Sequence, residues 1–302
     1  MAPDALAIAD VERETGLSKD TLRVWERRYG FPSPLRDACD ERLYPPEQVE
    51  RLRLLARLVG GGQRPNRVVH LPLHELKALA QRPAIAETTP VITPELQALL
   101  AILQQHDAGE LRRALHGALL RQGLALFVTQ TVAPMNVLVG EAWTRGELQV
   151  FEEHIYTESV IAVLRAALGG LGIPPQGRRP RVLLTTLPQE PHALGLLMAE
   201  VMLTLKNCDC TSLGTQTPLD EIVRAAPAND ADVVGLSVSP AFNTQLLLRN
   251  VRVLRQRLPP SIALWVGGSH PASKRLALDG VSRVESLTDI AALLTPWQNH
   301  PV

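Results

Sequence analysis

The chain has 302 residues, 45% of them hydrophobic, and carries 31 basic and 31 acidic side chains. This length favours two or three domains, and the composition is that of a globular protein able to bury sizeable cores. No apolar run approaches the roughly 20 residues needed to span a bilayer, and the first ten residues lack the basic segment of a secretion signal. We therefore expect a cytoplasmic protein without a membrane partner.

The first segment, residues 1–82, is predicted to be an α-helical head of the helix-turn-helix type. A short helix over 8–14 ends at Gly16, and Ser18 is a suitable N-cap for a second helix over 19–28, which Gly30 ends. A Pro- and Arg-rich stretch over 31–44 suits a hairpin wing, and apolar residues spaced by three predict a helix over 47–58. Residues 18–36 hold five basic and two acidic side chains, a local charge of +3 that suits insertion into the major groove.

Residues 83–94 are predicted to be a linker because they are rich in Pro and Thr. The next segment, 95–172, has almost no strand signal. Its apolar stripes predict four helices, one starting near Leu96 and the others over 111–126, 132–143 and 152–168. Four helices with short connections predict a four-helix bundle.

The third segment, residues 178–298, alternates strand and helix patterns. Strands are predicted over 182–186, 209–213, 233–237 and 262–266, with a weak fifth near Val284. Helices are predicted over 192–205, 218–226, 243–258, 276–280 and 288–294. This alternation indicates a parallel, doubly wound α/β sheet, in which ligands bind beyond the carboxyl ends of the strands.

Three features of the third segment fall at such strand ends. The loop after the first strand contains Glu190 and His192, followed by Gly195. A neutral imidazole can bind a metal through one nitrogen while its other N–H bonds to a carboxylate, which here would be Glu190. A lone Glu-x-His pair is more often a solvated surface feature. Here small residues also follow the later strands and leave room for a ligand: Ser237 and Ser239 after the third, Gly267 and Gly268 after the fourth.

This combination resembles the cobalamin-binding domain shared by methionine synthase, mutases and corrinoid proteins. Its hallmark is Asp/Glu-x-His-x-x-Gly, then a Ser-containing strand end, then Gly-Gly. The resemblance implies that His192 is the lower axial ligand of cobalt and that Glu190 is its hydrogen-bond partner. It also implies that Gly195 permits close approach and that four residues line the pocket for the displaced nucleotide tail: Ser237, Ser239, Gly267 and Gly268.

The bundle contains Trp143, followed after nine residues by Glu153 and His154. Taken alone, these are a core aromatic residue and a wet polar face. Beside the corrinoid motif, the spacing resembles the cap signature of photosensing regulators of the CarH/LitR type, which implies that the three side chains contact the 5′-deoxyadenosyl group above cobalt. In some such proteins a His directly follows the Trp and caps cobalt after illumination. Here the residue is Thr144, so another side chain or water takes that position, or the light response differs, or light is not used.

The head resembles a MerR-family DNA-binding domain in Thr21–Gly30 and in Arg42-Leu43-Tyr44. The resemblance implies that Lys19, Thr21, Arg23 and Arg27 contact DNA from the second helix, and that Arg42 and Tyr44 do so from the wing. Leu22 and Trp25 are expected in the core and Glu26 in an ion pair.

Over about residues 6–295 the chain therefore resembles MerR-family cobalamin-dependent regulators of the CarH/LitR photoreceptor type. The resemblance implies a winged helix-turn-helix head, a four-helix-bundle cap and a flavodoxin- or Rossmann-like cobalamin-binding domain. It further implies a non-enzymatic repressor whose oligomerisation, as a dimer or tetramer, and promoter binding respond to adenosylcobalamin and to light-driven Co–C cleavage. Two alternatives stay open: a regulator that senses cobalamin level or uses no corrinoid, and a corrinoid enzyme or methyl-carrier subunit.

Overall fold

A computed structural model describes residues 5–60, 63–80, 92–171 and 180–298. The chain forms two compact units, Met1–Leu100 with Met135–Ile155, and Ala101–Pro134 with Tyr156–Val302. Most of the linker predicted over 83–94 lies outside the described residues, and its last residue, Pro94, already begins a helix. The domain limits 1–82, 95–172 and 178–298 stay predictions.

The head has the predicted helix-turn-helix, and its helix ends are those expected from the sequence. Gly16 and Gly30 end the first two helices at φ 70° and 68°, in the left-handed region that favours glycine. The Ser18 hydroxyl accepts a hydrogen bond from the Thr21 N–H at 3.1 Å. The elements are β1 Leu6–Ala7, α1 Ile8–Thr15, α2 Lys19–Tyr29, β2 Leu35–Arg36, β3 Arg42–Tyr44, α3 Pro46–Gly60, α4 Pro65–Val68 and α5 Leu73–Ala80.

The head is not purely helical. Its three short strands form an antiparallel sheet in the order β1-β3-β2, which joins the N-terminal strand to the wing. Helices α4 and α5 were not predicted. They bury Val68 and Leu76, which join the same apolar core as Leu22 and Trp25 of α2.

The predicted bundle segment is helical throughout, but its helix limits differ from those expected. It contains α6 Pro94–Gln104, α7 Ala108–Gln122, α8 Leu124–Leu126, a π-helical stretch Phe127–Val132, α9 Ala133–Arg145 and α10 Val150–Gly170. The single helix predicted over 111–126 is wrong, because Gly123 adopts φ 76° and ψ 160° and ends α7. Helical periodicity continues across Gly123, so the apolar pattern alone does not show the break.

The run Leu124–Trp143 is long and apolar enough to cross a membrane by length and composition. The expectation that no apolar run reaches this length is therefore wrong. About 39% of its most apolar window is buried inside the protein, and a core helix of a globular protein meets the same criterion.

The third segment forms a five-stranded parallel sheet in the order β5-β4-β6-β7-β8. Its elements are β4 Arg181–Thr186, α11 Leu194–Leu205, β5 Asp209–Ser212, α12 Leu219–Ala228, β6 Val233–Ser237, α13 Thr244–Arg257, β7 Ala263–Gly267, β8 Val281–Val284 and α14 Ile290–Gln298. The strand order reverses between β4 and β6. A crevice at such a switch point is where this class of sheet binds ligands.

The helix predicted over 276–280 is wrong. A 3-10 turn at Pro271–Arg275 takes its place, because His270 caps the turn by accepting a hydrogen bond from the Ala272 N–H and Pro271 pre-sets its first backbone angle.

Candidate functional site

The sheet brings Glu190 and Ser239 together across the switch point. Glu190 lies in the loop after β4 and is 1% exposed. Its Oε2 accepts hydrogen bonds from both the backbone N–H and the hydroxyl of Ser239, each at 2.8 Å, in the loop after β6. One buried carboxylate thus joins the ends of two adjacent strands.

The other carboxylate oxygen of Glu190 holds His192. Oε1 lies 2.5 Å from the imidazole Nδ1 and accepts a hydrogen bond from the His192 backbone N–H at 3.2 Å. An acceptor at Nδ1 places the proton on that nitrogen, and Nε2 is then the nitrogen suited to bind a metal. The His192 side chain is 58% exposed, whereas Glu190 is buried. The buried carboxylate therefore orients an imidazole that is accessible at the surface of the crevice.

These contacts determine the charge of Glu190. Burial disfavours the ionised carboxylate, but hydrogen bonds from His192 and Ser239 and the charge of His192 outweigh burial and lower the pKa of Glu190. The carboxylate is therefore ionised at neutral pH. It makes His192 a better electron donor and fixes the ring orientation before any ligand arrives.

The predicted glycines allow the strand ends to approach each other. A Cβ at Gly195 would lie 2.6 Å from the Ser237 Oγ, and a Cβ at Gly268, where φ is +111°, would overlap the carbonyl oxygen of Val238. Gly267 accepts a hydrogen bond from the Val238 N–H at 3.0 Å. At Gly195 the start of α11 therefore packs closely against Ser237 at the end of β6, and at Gly268 the chain packs against the backbone of Val238.

Two positioning residues were missed in the sequence. The buried Thr186 hydroxyl donates to the Glu190 carbonyl at 2.6 Å and accepts from the Gln216 N–H at 2.7 Å. The buried His270 lies 2.8 Å from the Phe242 carbonyl through Nε2 and thereby joins the loops after β7 and β6. The only local signal was their position at or just beyond strand ends. Gln216 is 30 residues from Thr186, and Phe242 is 28 residues from His270.

The predicted cap residues flank a short turn over 146–149, with Trp143 near the end of α9 and the other two near the start of α10. We call the stretch 143–154 the cap turn. Gly146 follows α9 at φ 78°, and Arg145 forms a paired hydrogen bond with Glu147 at 2.8 and 2.9 Å. The Glu152 carboxylate accepts from the Gln149 N–H at 2.6 Å, which fixes the start of α10. This geometry holds Glu153 and His154 in the first turn of α10, with 3.6 Å between Glu153 Oε2 and His154 Nε2.

The structure corrects one predicted DNA contact and reassigns another. Tyr44 is fully buried in the head core beneath β1, where burial raises the pKa of its phenol, so it is not available to DNA. Arg42 forms a fork with Glu26, with Nε at 2.8 Å from Oε2, so this guanidinium binds the recognition helix to the wing. The ion pair expected for Glu26 is present.

The remaining predicted DNA residues lie on α2. Arg23 and Arg27 are exposed. Arg23 forms an exposed ion pair with Asp20 at 3.3 Å, which is easily exchanged for a phosphate. Lys19 lies 3.7 Å from Glu12, and the Thr21 hydroxyl lies 2.8 Å from that of Ser18. Leu22 and Trp25 are core residues, as expected.

Comparison with known proteins gives three family matches in this order along the chain. Residues 6–71 match the MerR HTH family of regulatory proteins, and residues 95–168 and 180–283 match two B12 binding domain families. The solved structure of the monomethylamine corrinoid protein of Methanosarcina barkeri covers 67% of this chain and 96% of its own, with a TM-score of 0.54 and 17% identity. That likeness shows the fold of the corrinoid module.

The fold and the matches together define a DNA-binding regulator with a cobalamin-binding module, and this class is not one of enzymes. Two curated relatives from Myxococcus xanthus are each 31% identical: the HTH-type transcriptional repressor CarH, over 87% of this chain and 90% of its own length, and CarA, over 97% and 98%. The chain belongs to this family of MerR-type, B12-binding transcriptional regulators. The sequence-based predictions of the protein family, of the fold class and of a non-enzymatic regulator are confirmed.

Replacing Arg23 by alanine is expected to weaken binding to operator DNA about tenfold and to lower the slope of log affinity against log salt by about one, because one phosphate contact is lost. The slope is measured by fluorescence anisotropy at several salt concentrations. Arg249→Ala, an exposed arginine on α13, is the matched control and should leave affinity and slope unchanged. An unchanged slope in Arg23→Ala would contradict this placement.

Proposed function

We propose that the chain is a cytoplasmic repressor that binds adenosylcobalamin through His192 and assembles into a dimer or tetramer on promoter DNA. The single observation that carries the cofactor assignment is the chain of contacts from His192 Nδ1 through the buried Glu190 to Ser239 at the switch point. A metal-binding imidazole is commonly oriented by such a carboxylate. Repression is proposed from the curated relatives, which are named as repressors.

The donor set fits a corrinoid. Glu190 accepts four hydrogen bonds, which occupy both of its oxygens, whereas His192 has a largely exposed side chain whose Nε2 would bind the cobalt. Ser237 beside Gly195, and Ser239, Gly267 and Gly268 at the next strand ends, would border the nucleotide tail. Adenosylcobalamin supplies a cobalt–carbon bond that light breaks.

The residues of the protein then have separate roles. His192 would hold the cobalt, Glu190 and Ser239 keep the imidazole ring fixed, and Trp143, Glu153 and His154 of the cap turn would contact the adenosyl group. A cofactor changes assembly only through contacts that differ between the two states, and the cap turn provides contacts that exist only while the adenosyl group is present. Assembly places several heads on DNA at once, so DNA affinity depends steeply on the cofactor.

The test is size-exclusion chromatography of the chain with adenosylcobalamin, first in the dark and then after illumination. We expect a larger species in the dark that returns to the cofactor-free elution volume after light. Methylcobalamin, which lacks the adenosyl group, is the matched control and should not produce the larger species.

A second candidate, a sensor of cobalamin level, is favoured by the identity of residue 144. Thr144 replaces the histidine that some light-responsive relatives place after the Trp. A dark-stable larger species that persists after illumination would select this function over light sensing. A chain that elutes identically with and without any cobalamin would contradict both.

A further inference from the structure

The unit made of Met1–Leu100 and Met135–Ile155 contains a cleft of about 380 Å³ between the head and the cap turn. One wall comes from α1 and α3 of the head, and the other comes from α9, the cap turn and α10. The lining residues that matter here are Arg53, Arg57, Trp143, Gln149, Phe151 and His154. Two of the three residues predicted to meet the adenosyl group thus share a cleft with the DNA-binding head.

Arg57, on the head wall of the cleft, contacts the opposite wall at Gly146. Its guanidinium lies against the backbone of Gly146, where a Cβ would be 2.5 Å from Nη1. Arg53, one turn earlier on α3, is paired with Glu14, whereas no carboxylate among the described residues pairs with Arg57. Burial, followed by the nearby charge of Arg53, lowers the pKa of Arg57.

The DNA-reading side of the head is not part of this cleft. No α2 residue lines it, and Arg23 and Arg27 on that helix are exposed. The contact therefore restrains where the head can lie and leaves its recognition helix uncovered.

We infer that the head docks on the cap turn in the cofactor-free chain, at the surface that the adenosyl group would use, so that head docking and adenosylcobalamin binding exclude each other. The inference rests on the proposed function. Trp143 and His154 line the same cleft as Arg53 and Arg57. An adenosyl group enclosed by these two side chains would therefore compete with the head for them. Cofactor binding then releases the head, and by reciprocity the docked head lowers cofactor affinity.

The test compares Arg57→Glu with wild type in the full chain. A carboxylate at position 57 is expected to undock the head. Hydrogen exchange in the cofactor-free protein should then become faster over 143–155. The affinity for adenosylcobalamin in the dark should rise roughly 3- to 10-fold, because the cofactor no longer has to displace the docked head before it binds. Arg67→Glu, an exposed head residue outside the cleft, is the matched control and should change neither quantity.

Arg57→Gln keeps most of the side chain and serves if Arg57→Glu does not fold; it should change both quantities in the same direction. The inference is overturned if folded Arg57 variants keep wild-type exchange over 143–155, or bind adenosylcobalamin no more tightly than wild type. If the proposed function is wrong but the head does dock on the cap turn, the outcome differs. Wild type then binds no adenosylcobalamin, while hydrogen exchange over 143–155 still differs between wild type and Arg57→Glu.

Discussion

His192→Ala is expected to lower the affinity for adenosylcobalamin by about 100-fold or more and to abolish the absorption spectrum of histidine-bound cobalt. Loss of an outer hydrogen-bond partner of a metal ligand typically costs about 10- to 100-fold, and loss of the ligand itself should exceed that. The side chain is largely exposed, and Glu190 keeps three of its four hydrogen bonds in this variant, so the protein should still fold, with some loss of stability.

Absorbance titration in the dark measures both quantities. The matched control is His116→Ala, which removes an exposed histidine on α7 and should bind like wild type. A His192→Ala protein that retains the histidine-bound spectrum would show that another residue holds the lower face of cobalt.

Glu190→Gln is expected to destabilise the protein by about 2–4 kcal/mol at pH 7, although the two side chains have almost the same shape. The carboxylate accepts four hydrogen bonds through two oxygens, whereas the amide has one oxygen and an NH2 group. Whichever way the amide is oriented, its NH2 group faces the donors of either His192 or Ser239. Those buried donors then lack an acceptor, which costs stability. Cobalamin affinity should fall about 10- to 100-fold because the imidazole loses its anionic partner.

The stability effect of Glu190→Gln should depend on pH. The folded-state pKa of Glu190 is lowered from 4.5, so its ionised form stabilises the protein above that value, and this stabilisation is lost as the pH falls through the folded-state pKa. The difference in the free energy of unfolding between wild type and Glu190→Gln should therefore be full at pH 7 and shrink below pH 4.5.

Urea unfolding at several pH values gives this difference. Ser239→Ala removes the hydroxyl donor but keeps the backbone donor to Glu190, so it should cost only about 1 kcal/mol. A Glu190→Gln effect that stays constant from pH 7 to below 4 would contradict the assignment of an ionised, hydrogen-bonded carboxylate.

The corrinoid motif was predictable because its signals are local. Glu190 and His192 are two residues apart, and strand patterns placed them at a strand end, where a parallel sheet binds ligands. What the sequence could not show is that Glu190 reaches Ser239, 49 residues later, since this contact depends on β4 and β6 being neighbours. The same reason kept Thr186 and His270 out of the prediction.

For the head, the sequence predicted the helix ends but not which face of a short strand is buried. Caps at Gly16, Ser18 and Gly30 are local stereochemical requirements, and the structure has each of them. Tyr44 was misplaced because a three-residue strand is too short for an alternation pattern to show which face is buried. A tyrosine in a wing next to an arginine is chemically suited to DNA, and only the pairing of β3 with β1 shows that its ring belongs to the core.

The sequence predicted the residues of the cap turn but not the residues that surround them. The spacing from Trp143 to His154 is readable in the sequence, but the head wall opposite these residues is not. Arg57 is 89 residues before Gly146, and in the helix pattern of α3 it is an ordinary charged position. Contacts between segments of such separation follow from tertiary packing rather than from local pattern.

In the proposed function, cobalamin held by His192 controls DNA binding by the head. The most direct measurement is a gel-shift titration of operator DNA in the dark, with and without adenosylcobalamin, for wild type and His192→Ala. We expect adenosylcobalamin to raise the DNA affinity of wild type sharply and to have no effect on His192→Ala, while both proteins bind DNA equally weakly without cofactor. Equal DNA affinity of wild type with and without adenosylcobalamin, or an equal cofactor response in His192→Ala, would contradict it.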